Sequence, residues 1–198
     1  MPIENPPDEL NYEYYQDTVF SKQNFKGRVL REKEFCKCKF IKSDFYKTNL
    51  QSCIFEDCLF ENCDLSLWII NGSRFTDVTF KESKIIGVQW NSAKPPIKAN
   101  FYDCILNNSV FAGLNLNSIE IIKCQVWESD FSDANLTKAK ICSSDLRNST
   151  FHKTTLVQAD FSDSTNYSIN PNLNKLKKTI FNLPEAIALL KYFDIIVK

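Results

Sequence analysis

Residues 55–65 read FEDCLFENCDL, and a large apolar side chain returns at every fifth position, as Phe55, Phe60 and Leu65. An amphipathic helix would repeat its apolar residues about every 3.6 positions, and a half-buried strand about every two. A period of five fits neither element. This stretch therefore predicts a repeat architecture in which each five-residue unit contributes one large side chain to a shared core.

The same period extends through most of the chain on both sides of this stretch. It runs from Phe20 to Trp90 without a slip, resumes at Phe101 one residue out of phase, and ends at Phe161. The segment between the two series is NSAKPPIKAN, residues 91–100. The residue two positions before the large one is mostly small, and the clearest cases are Cys38, Ser43, Thr48, Cys53, Ser109, Ser129, Ala134, Ala139 and Ala159.

Length and composition exclude several classes of protein. The chain has 198 residues and a formal net charge of zero, so no strong overall field draws it to nucleic acid or to an anionic membrane. No apolar run reaches the length of about 18 residues that a membrane span needs. The start, MPIENPPDEL, lacks the regions of a secretory signal, so we expect a cytoplasmic protein whose eight cysteines are reduced.

The clearest repeat units, Ala134-Asn135-Leu136 and Ala159-Asp160-Phe161, resemble the A(D/N)LXX unit of the pentapeptide repeat family. The resemblance implies an all-β solenoid, a right-handed quadrilateral β-helix of about seven coils with four pentapeptides per coil. It divides the chain into an N-terminal arm or cap at 1–17, a β-helix at 18–166 interrupted by a loop at 91–100, and a C-terminal cap and dimerisation segment at 167–198.

A coil of 20 residues makes the register testable, because residues 20 positions apart should stack on one another. Glu120, Lys140 and Asp160 would then form a ladder of alternating charge on the surface. Inside the tube, Cys38 would lie against Cys58.

The repeat pattern decays after Phe161, and the segment LPEAIALLKYFDI, residues 183–195, has helical apolar spacing after a proline suited to a first turn. We expect a capping helix over the last coil. Its apolar residues allow two interpretations, a plain cap on a monomer or an interface with a second copy. That interface would consist of Leu183, Pro184, Ile187, Leu190 and Phe193.

No residue pattern points to catalysis. Cys53, Cys58 and Cys63 fall at the small inward position, which favours buried core thiols over a zinc site. His152, the one histidine, follows a large inward residue and is expected to face solvent with no nucleophile beside it. No glycine-rich phosphate-binding motif occurs. We therefore expect no enzyme activity, no metal and no cofactor.

Charge is unevenly distributed along the chain. Residues 22–47 carry nine Lys or Arg and three Asp or Glu, whereas residues 48–73 carry four acids and no base. The acids form a candidate acidic face, which either imitates the charge of a DNA duplex or is an ordinary solvated surface. This acidic set is Glu56, Asp57, Glu61 and Asp64.

The loop at 91–100 is the second candidate surface, because loops on rigid scaffolds often carry recognition. A tolerated insertion without a role is the alternative interpretation. The residues that would give the loop a stiff, partly apolar tip are Trp90, Asn91, Lys94, Pro95, Pro96 and Lys98.

The ending from Ser162 through the LPEA motif resembles that of the topoisomerase-protecting branch of the family, which includes the Qnr, MfpA and McbG proteins. This resemblance implies a homodimer through the C-terminus. It also implies a type II topoisomerase partner, DNA gyrase or topoisomerase IV, which is protected from quinolones or a toxin. We expect neither direct nucleic-acid binding nor a membrane partner. The rival interpretation is a structural or interaction scaffold of the same family whose partner is not a topoisomerase.

Overall fold

The structure is a computed structural model that describes residues 10–193 and 195. Residues 1–9 of the expected arm and residues 194 and 196–198 of the expected cap lie outside this description. The described chain forms thirteen short strands and two 3-10 helices, Trp90–Ser92 and Glu185–Tyr192. The strand pairs are all parallel, so the chain winds as a solenoid.

The strands stack into walls because each one pairs with the strand one coil away. The first wall contains β1 (Tyr14–Gln16), β4 (Glu34–Cys36), β7 (Ile54–Glu56) and β9 (Arg74–Thr76). The second contains β2 (Val19–Ser21), β5 (Lys39–Ile41), β8 (Leu59–Glu61), β10 (Val78–Lys81), β11 (Ala99–Tyr102), β12 (Glu120–Ile122) and β13 (Lys140–Cys142). The fourth begins with β3 (Val29–Arg31) and β6 (Asn49–Gln51), and the third is joined by single bridges such as that from Asn24 to Asp44. The seven strands of the second wall span six full turns, and bridges at Asp160 and Ile180 extend it.

The predicted register of 20 residues is confirmed. Phe20 pairs with Phe40 on the second wall. Further along the same wall Glu120 pairs with Lys140, whose Nζ lies 2.8 Å from Glu120 Oε1, and Lys140 in turn bridges Asp160. The hydrogen bond from Lys140 lowers the pKa of the Glu120 carboxyl. The ladder of alternating charge therefore exists as predicted.

The core of the tube is a stack of aromatic rings. Every large residue of the five-residue series from Phe20 to Phe161 is buried. The ring centroids of Phe20 and Phe40 are 4.8 Å apart and those of Phe40 and Phe60 are 4.6 Å apart, with both pairs nearly parallel. This spacing is that of hydrogen-bonded strands, roughly 4.7–4.9 Å, so the backbone ladder itself brings the rings into contact.

The small inward position supplies a hydrogen bond as well as space. Thr48 Oγ1 donates to the carbonyl of Phe25 at 2.8 Å, and Thr154 Oγ1 donates to that of Phe131 at 2.9 Å. In both cases the donor lies 23 residues after the acceptor, so the bond ties one coil to the previous one. Each of these carbonyls also accepts a backbone N–H from its own turn, so alanine is tolerated at this position, while a hydroxyl or thiol adds a second bond between coils.

A left-handed backbone residue turns most corners of the tube, and the 3-10 helix Trp90–Ser92 takes its place at one of them. The left-handed residue lies two positions after the large residue, and in the non-glycine cases φ is between 48° and 61°, as at Lys22, Lys42 and Asn62. This conformation costs a residue with a Cβ roughly 1–2 kcal/mol. The inter-coil hydrogen bonds hold it in place, for example the bond of 2.8 Å from Lys22 N to Ile41 O.

One coil contains an extra residue. Phe80 pairs with Phe101, 21 positions on, and Phe101 pairs with Ile121, 20 positions on, so the predicted phase shift in NSAKPPIKAN is confirmed. The segment that leaves the regular coil is shorter than the expected loop at 91–100. The 3-10 helix Trp90–Ser92 occupies its start, and β11 already begins at Ala99.

Both ends differ in detail from the expected boundaries. β1 begins at Tyr14, so the solenoid starts inside the segment 1–17 that was assigned to an arm or cap. The predicted C-terminal helix is the 3-10 helix Glu185–Tyr192. Leu189 packs against the core, and Tyr192 Oη lies 2.8 Å from Ser168 Oγ, so this helix closes the last coil. Neither helix of the described chain combines the length and the apolar character needed to cross a membrane.

We expect Asn148→Val to lower the free energy of unfolding by about 1–2 kcal/mol, because a β-branched side chain is strained in the left-handed region. Asn148 is an exposed corner residue with φ of 57°. Thr150→Val is the matched control, since Thr150 is equally exposed but lies in the extended wall, where valine is favoured. Urea denaturation measures both variants, and equal losses would contradict the assignment of strain to the corner.

Candidate partner-binding surfaces

The interrupting loop is held against the tube rather than projecting from it. Ala93 and Ile97 are buried near its two ends and fill the core. Lys94 N donates to Ser73 O at 2.8 Å, which fixes the backbone between the two anchors. Only a short tip of the loop is therefore available to a partner.

Five of the six predicted contact residues of the loop are exposed, and we call these five the loop tip. Trp90 is fully buried, and its ring stacks on that of Phe111 with centroids 5.9 Å apart. The prediction that Trp90 contacts a partner is therefore wrong, because it occupies the central inward position of its own repeat unit. The exposed residues of the predicted set are Asn91, Lys94, Pro95, Pro96 and Lys98.

A cavity of about 310 Å³ lies beside the tip, where the shifted coil meets the next one. Its lining includes the charged residues Asp77 and Lys98 and the apolar residue Ile97. The Asn100 side chain also lines it and accepts a hydrogen bond of 3.0 Å from the backbone N–H of Glu120. The cavity and the tip thus form one continuous polar surface on this side of the rod.

The four residues of the predicted acidic set do not share a face. Glu56 lies on the first wall, Glu61 on the second and Asp64 on the third, while Asp57 is the corner residue between the first two. Each step of five residues leads to the next wall, so acids that are close in sequence are turned apart. Lys81 Nζ also lies 3.1 Å from Glu61 Oε1 and offsets its charge. The predicted single acidic face is therefore wrong.

Charge is organised along the rod instead of around it. Asp44 and Asp64 are bridge partners one coil apart on the third wall, and Lys84 follows Asp64 in the same column. Asp44 was missed as a neighbour of Asp64 because the two are distant in sequence. The 20-residue period was the signal that could have found it.

The C-terminal 3-10 helix carries an exposed apolar row. A 3-10 helix has three residues per turn, so Pro184, Ile187, Leu190 and Phe193 align along one side of it. Ile187 and Phe193 are 47% and 48% exposed, Leu190 is half-buried, and neighbouring Leu183 is 77% exposed. The five residues of the predicted interface are thus exposed or half-buried at the end of the rod, and we call this set the apolar row.

The cysteines are mostly core thiols. Burial raises the pKa of Cys63 to about 11. A hydrogen bond with the Cys38 thiol, together with burial, raises the pKa of Cys58. No group of three or more His, Cys, Asp or Glu side chains in residues 10–193 and 195 could hold a metal ion. His152 is exposed, as predicted.

Two of the eight cysteines should react with a thiol reagent in the folded protein, because only Cys36 and Cys142 are partly exposed. The thiolate is the reactive form, and burial suppresses both its formation and its access. Titration with DTNB should therefore find two thiols in the native protein and eight in urea. Cys36→Ser should leave one, and rapid reaction of further native thiols would contradict the buried positions.

The described chain is thus a closed parallel β-solenoid, a repeat-protein scaffold that presents a loop tip, charge columns and an apolar row. Two family models match it, one described as pentapeptide repeats (8 copies) at residues 20–57 and one described as a pentapeptide repeat region at residues 97–161. The two matches together cover more than half of the sequence. The chain belongs to the pentapeptide repeat family.

Several solved structures of the family are similar to this chain. A trypsin-treated variant of QnrB1, described as a plasmid-mediated fluoroquinolone resistance protein, is 20% identical, with 100% of each chain covered and a TM-score of 0.47. Full-length QnrB1 is 20% identical over 92% of this chain and 90% of its own, with a TM-score of 0.45. HetL from the cyanobacterium Nostoc sp. strain PCC 7120, involved in heterocyst differentiation regulation, is 15% identical over 84% and 86%, with a TM-score of 0.33. No curated protein sequence matches this chain significantly.

Proposed function

We propose that the chain is a cytoplasmic, non-enzymatic, Qnr-like binding protein that forms a homodimer and engages a type II topoisomerase. The partner would be DNA gyrase or topoisomerase IV, which the protein would protect from quinolones or a toxin. The observation that carries the proposal is the C-terminal end. There the ending that resembles the topoisomerase-protecting branch coincides with the exposed apolar row.

A second copy of the chain is the occupant that we propose for the apolar row. Exposed apolar surface at the end of a solenoid is unfavourable in water, and terminal coils need a cover. A two-fold contact would let the same row on both copies cover each other. The walls and the loop tip would stay free for a different partner.

Ile187→Glu should convert the dimer to a monomer, because it places a charge in an apolar interface. Light scattering coupled to size-exclusion chromatography measures the change. Lys178→Glu, at an exposed corner of the last coil, is the matched control and should remain dimeric. A wild-type protein that is monomeric at every concentration tested would refute the dimer.

The loop tip is the proposed contact with the topoisomerase. Its exposed Lys94 and Lys98 flank two prolines that stiffen the backbone. A deletion of residues 94–98 would also remove the buried Ile97 and damage the core. Reversal of the two lysine charges is the sharper test, since it leaves both apolar anchors in place.

Gyrase supercoiling should tolerate a severalfold higher fluoroquinolone concentration when the protein is present. The double variant Lys94→Glu/Lys98→Glu should lose most of this protection because it reverses the charge of the contact surface. Lys123→Glu/Lys138→Glu makes the same change in charge at two exposed corners and should protect like the wild type. No shift with the wild type would refute a topoisomerase partner, and an equal loss in the control would refute the role of the tip.

A scaffold with another partner is the second candidate, and the distribution of charge favours it over mimicry of DNA. A duplex is densely negative along its whole length. This chain has zero net charge, and its predicted acidic set faces three walls. If mimicry contributes, reversing all four acids, Glu56, Asp57, Glu61 and Asp64, abolishes protection. A pull-down that recovers no topoisomerase subunit would favour the scaffold.

A further inference from the structure

Part of the basic stretch at residues 22–47 lies together around one wall. Four of its exposed lysines lie on the third wall or at its corners in the first two coils, and we call this surface the basic wall. Lys22 and Lys42 are corner residues one coil apart at the entry to that wall. Lys26 lies on the wall, and Lys47 is the corner residue at its exit.

Tyr46 lies between two of these lysines. Lys26 Nζ is 5.1 Å and Lys47 Nζ is 5.2 Å from the centroid of its ring. Cation–π attraction therefore holds two ammonium groups near the same ring in spite of their mutual repulsion. The effect is to concentrate positive charge on the wall.

The neighbouring carboxylates do not offset this charge directly. Asp44 Oδ1 accepts the backbone N–H of Tyr46 at 2.8 Å, and Asp64, one coil on, accepts a backbone N–H of its own turn at 3.0 Å. The ion pairs in the described part of the chain form on other cations and at none of the four lysines. On the second wall, by contrast, Lys140 is paired with Glu120 one coil away.

The zero net charge of the chain conceals this segregation. Asp44 and Asp64 are the carboxylates on the third wall at this level, and the four lysines outnumber them. The paired Glu120 lies about four coils further along the rod, about 19 Å away at roughly 4.8 Å per coil. Charges on a protein surface are largely screened beyond about 8 Å at physiological salt. A ligand at the basic wall would therefore experience a positive surface whatever the total charge.

We infer that the basic wall binds the phosphate backbone of nucleic acid, with duplex DNA as its ligand. Two lysines stacked at one corner, one on the wall and one at the opposite corner present a cluster of positive charge that suits a linear polyanion, and a duplex carries one negative charge per roughly 1.7 Å of its length. Lysine contacts phosphate as a point charge and needs no fixed fork geometry. This site goes beyond the proposed topoisomerase function and does not depend on it. It differs from the sequence-based expectation of no direct nucleic-acid contact, which rested on total charge.

Fluorescence anisotropy of a labelled duplex, titrated with the full chain at several salt concentrations, tests the inference without any topoisomerase. We expect binding in the micromolar range, about 1–100 μM, that weakens steeply with salt. Lys22→Glu/Lys42→Glu should weaken binding at least tenfold. The double variant should also make the negative slope of log K against log salt less steep by about two. The matched control is Lys123→Glu/Lys138→Glu, which has the same change in charge at corners of the same backbone conformation.

Three outcomes would overturn the inference. One is no anisotropy change at about 100 μM protein, the weak end of ordinary non-specific binding. Another is an equal loss in the control variant, which would make the effect one of total charge. The third is stronger competition by polyglutamate than by unlabelled DNA, which would assign the wall to an acidic protein. Circular dichroism of both variants confirms that each is folded.

Discussion

The backbone ladder that stacks residues 20 positions apart is the constraint on which the rest of the molecule depends. Each inward side chain has a fixed neighbour about 4.8 Å away in the next coil, so the bore admits only groups that pack at that distance. Flat aromatic rings meet this condition, as Phe111 and Phe131 do with centroids 5.0 Å apart. The same ladder keeps the corner residues in a strained left-handed conformation, because leaving it would break bonds to the adjacent coil.

The five-residue period was sufficient to predict the solenoid, its register and the phase shift, because all three are properties of the core. The surface was harder to predict from nearness in sequence. Glu56 and Asp64 are eight positions apart and face different walls, whereas Asp44 and Asp64 are adjacent. Trp90 was assigned to the loop although the same period places it inside. The 3-10 geometry at Glu185–Tyr192 was not predictable, because apolar residues recur there at both three and four positions.

The rod separates its surfaces by position along the axis. The basic wall occupies the first two coils, the loop tip interrupts a middle coil, and the apolar row ends the described helix. Each coil contacts only its neighbours, so a substitution on one surface has little means of disturbing another. Because of this separation, a charge-reversal variant in one coil can be compared with a control that makes the same change of charge in a distant coil. It also allows a partner to approach the walls while the end is occupied.

The extra residue beside Trp90 was absorbed within one coil, and Phe101 and Ile121 resume the wall that Phe80 left. A whole added pentapeptide would behave differently. It would fill one more wall without harming the core, but every later unit would then stand a quarter-turn further around the axis. Such an insertion would rotate the apolar row by a fixed quarter-turn about the rod axis relative to the basic wall. Duplication of a complete coil would lengthen the rod without rotating the apolar row relative to the basic wall. Family members of different length could therefore keep the same surfaces on the same side of the rod.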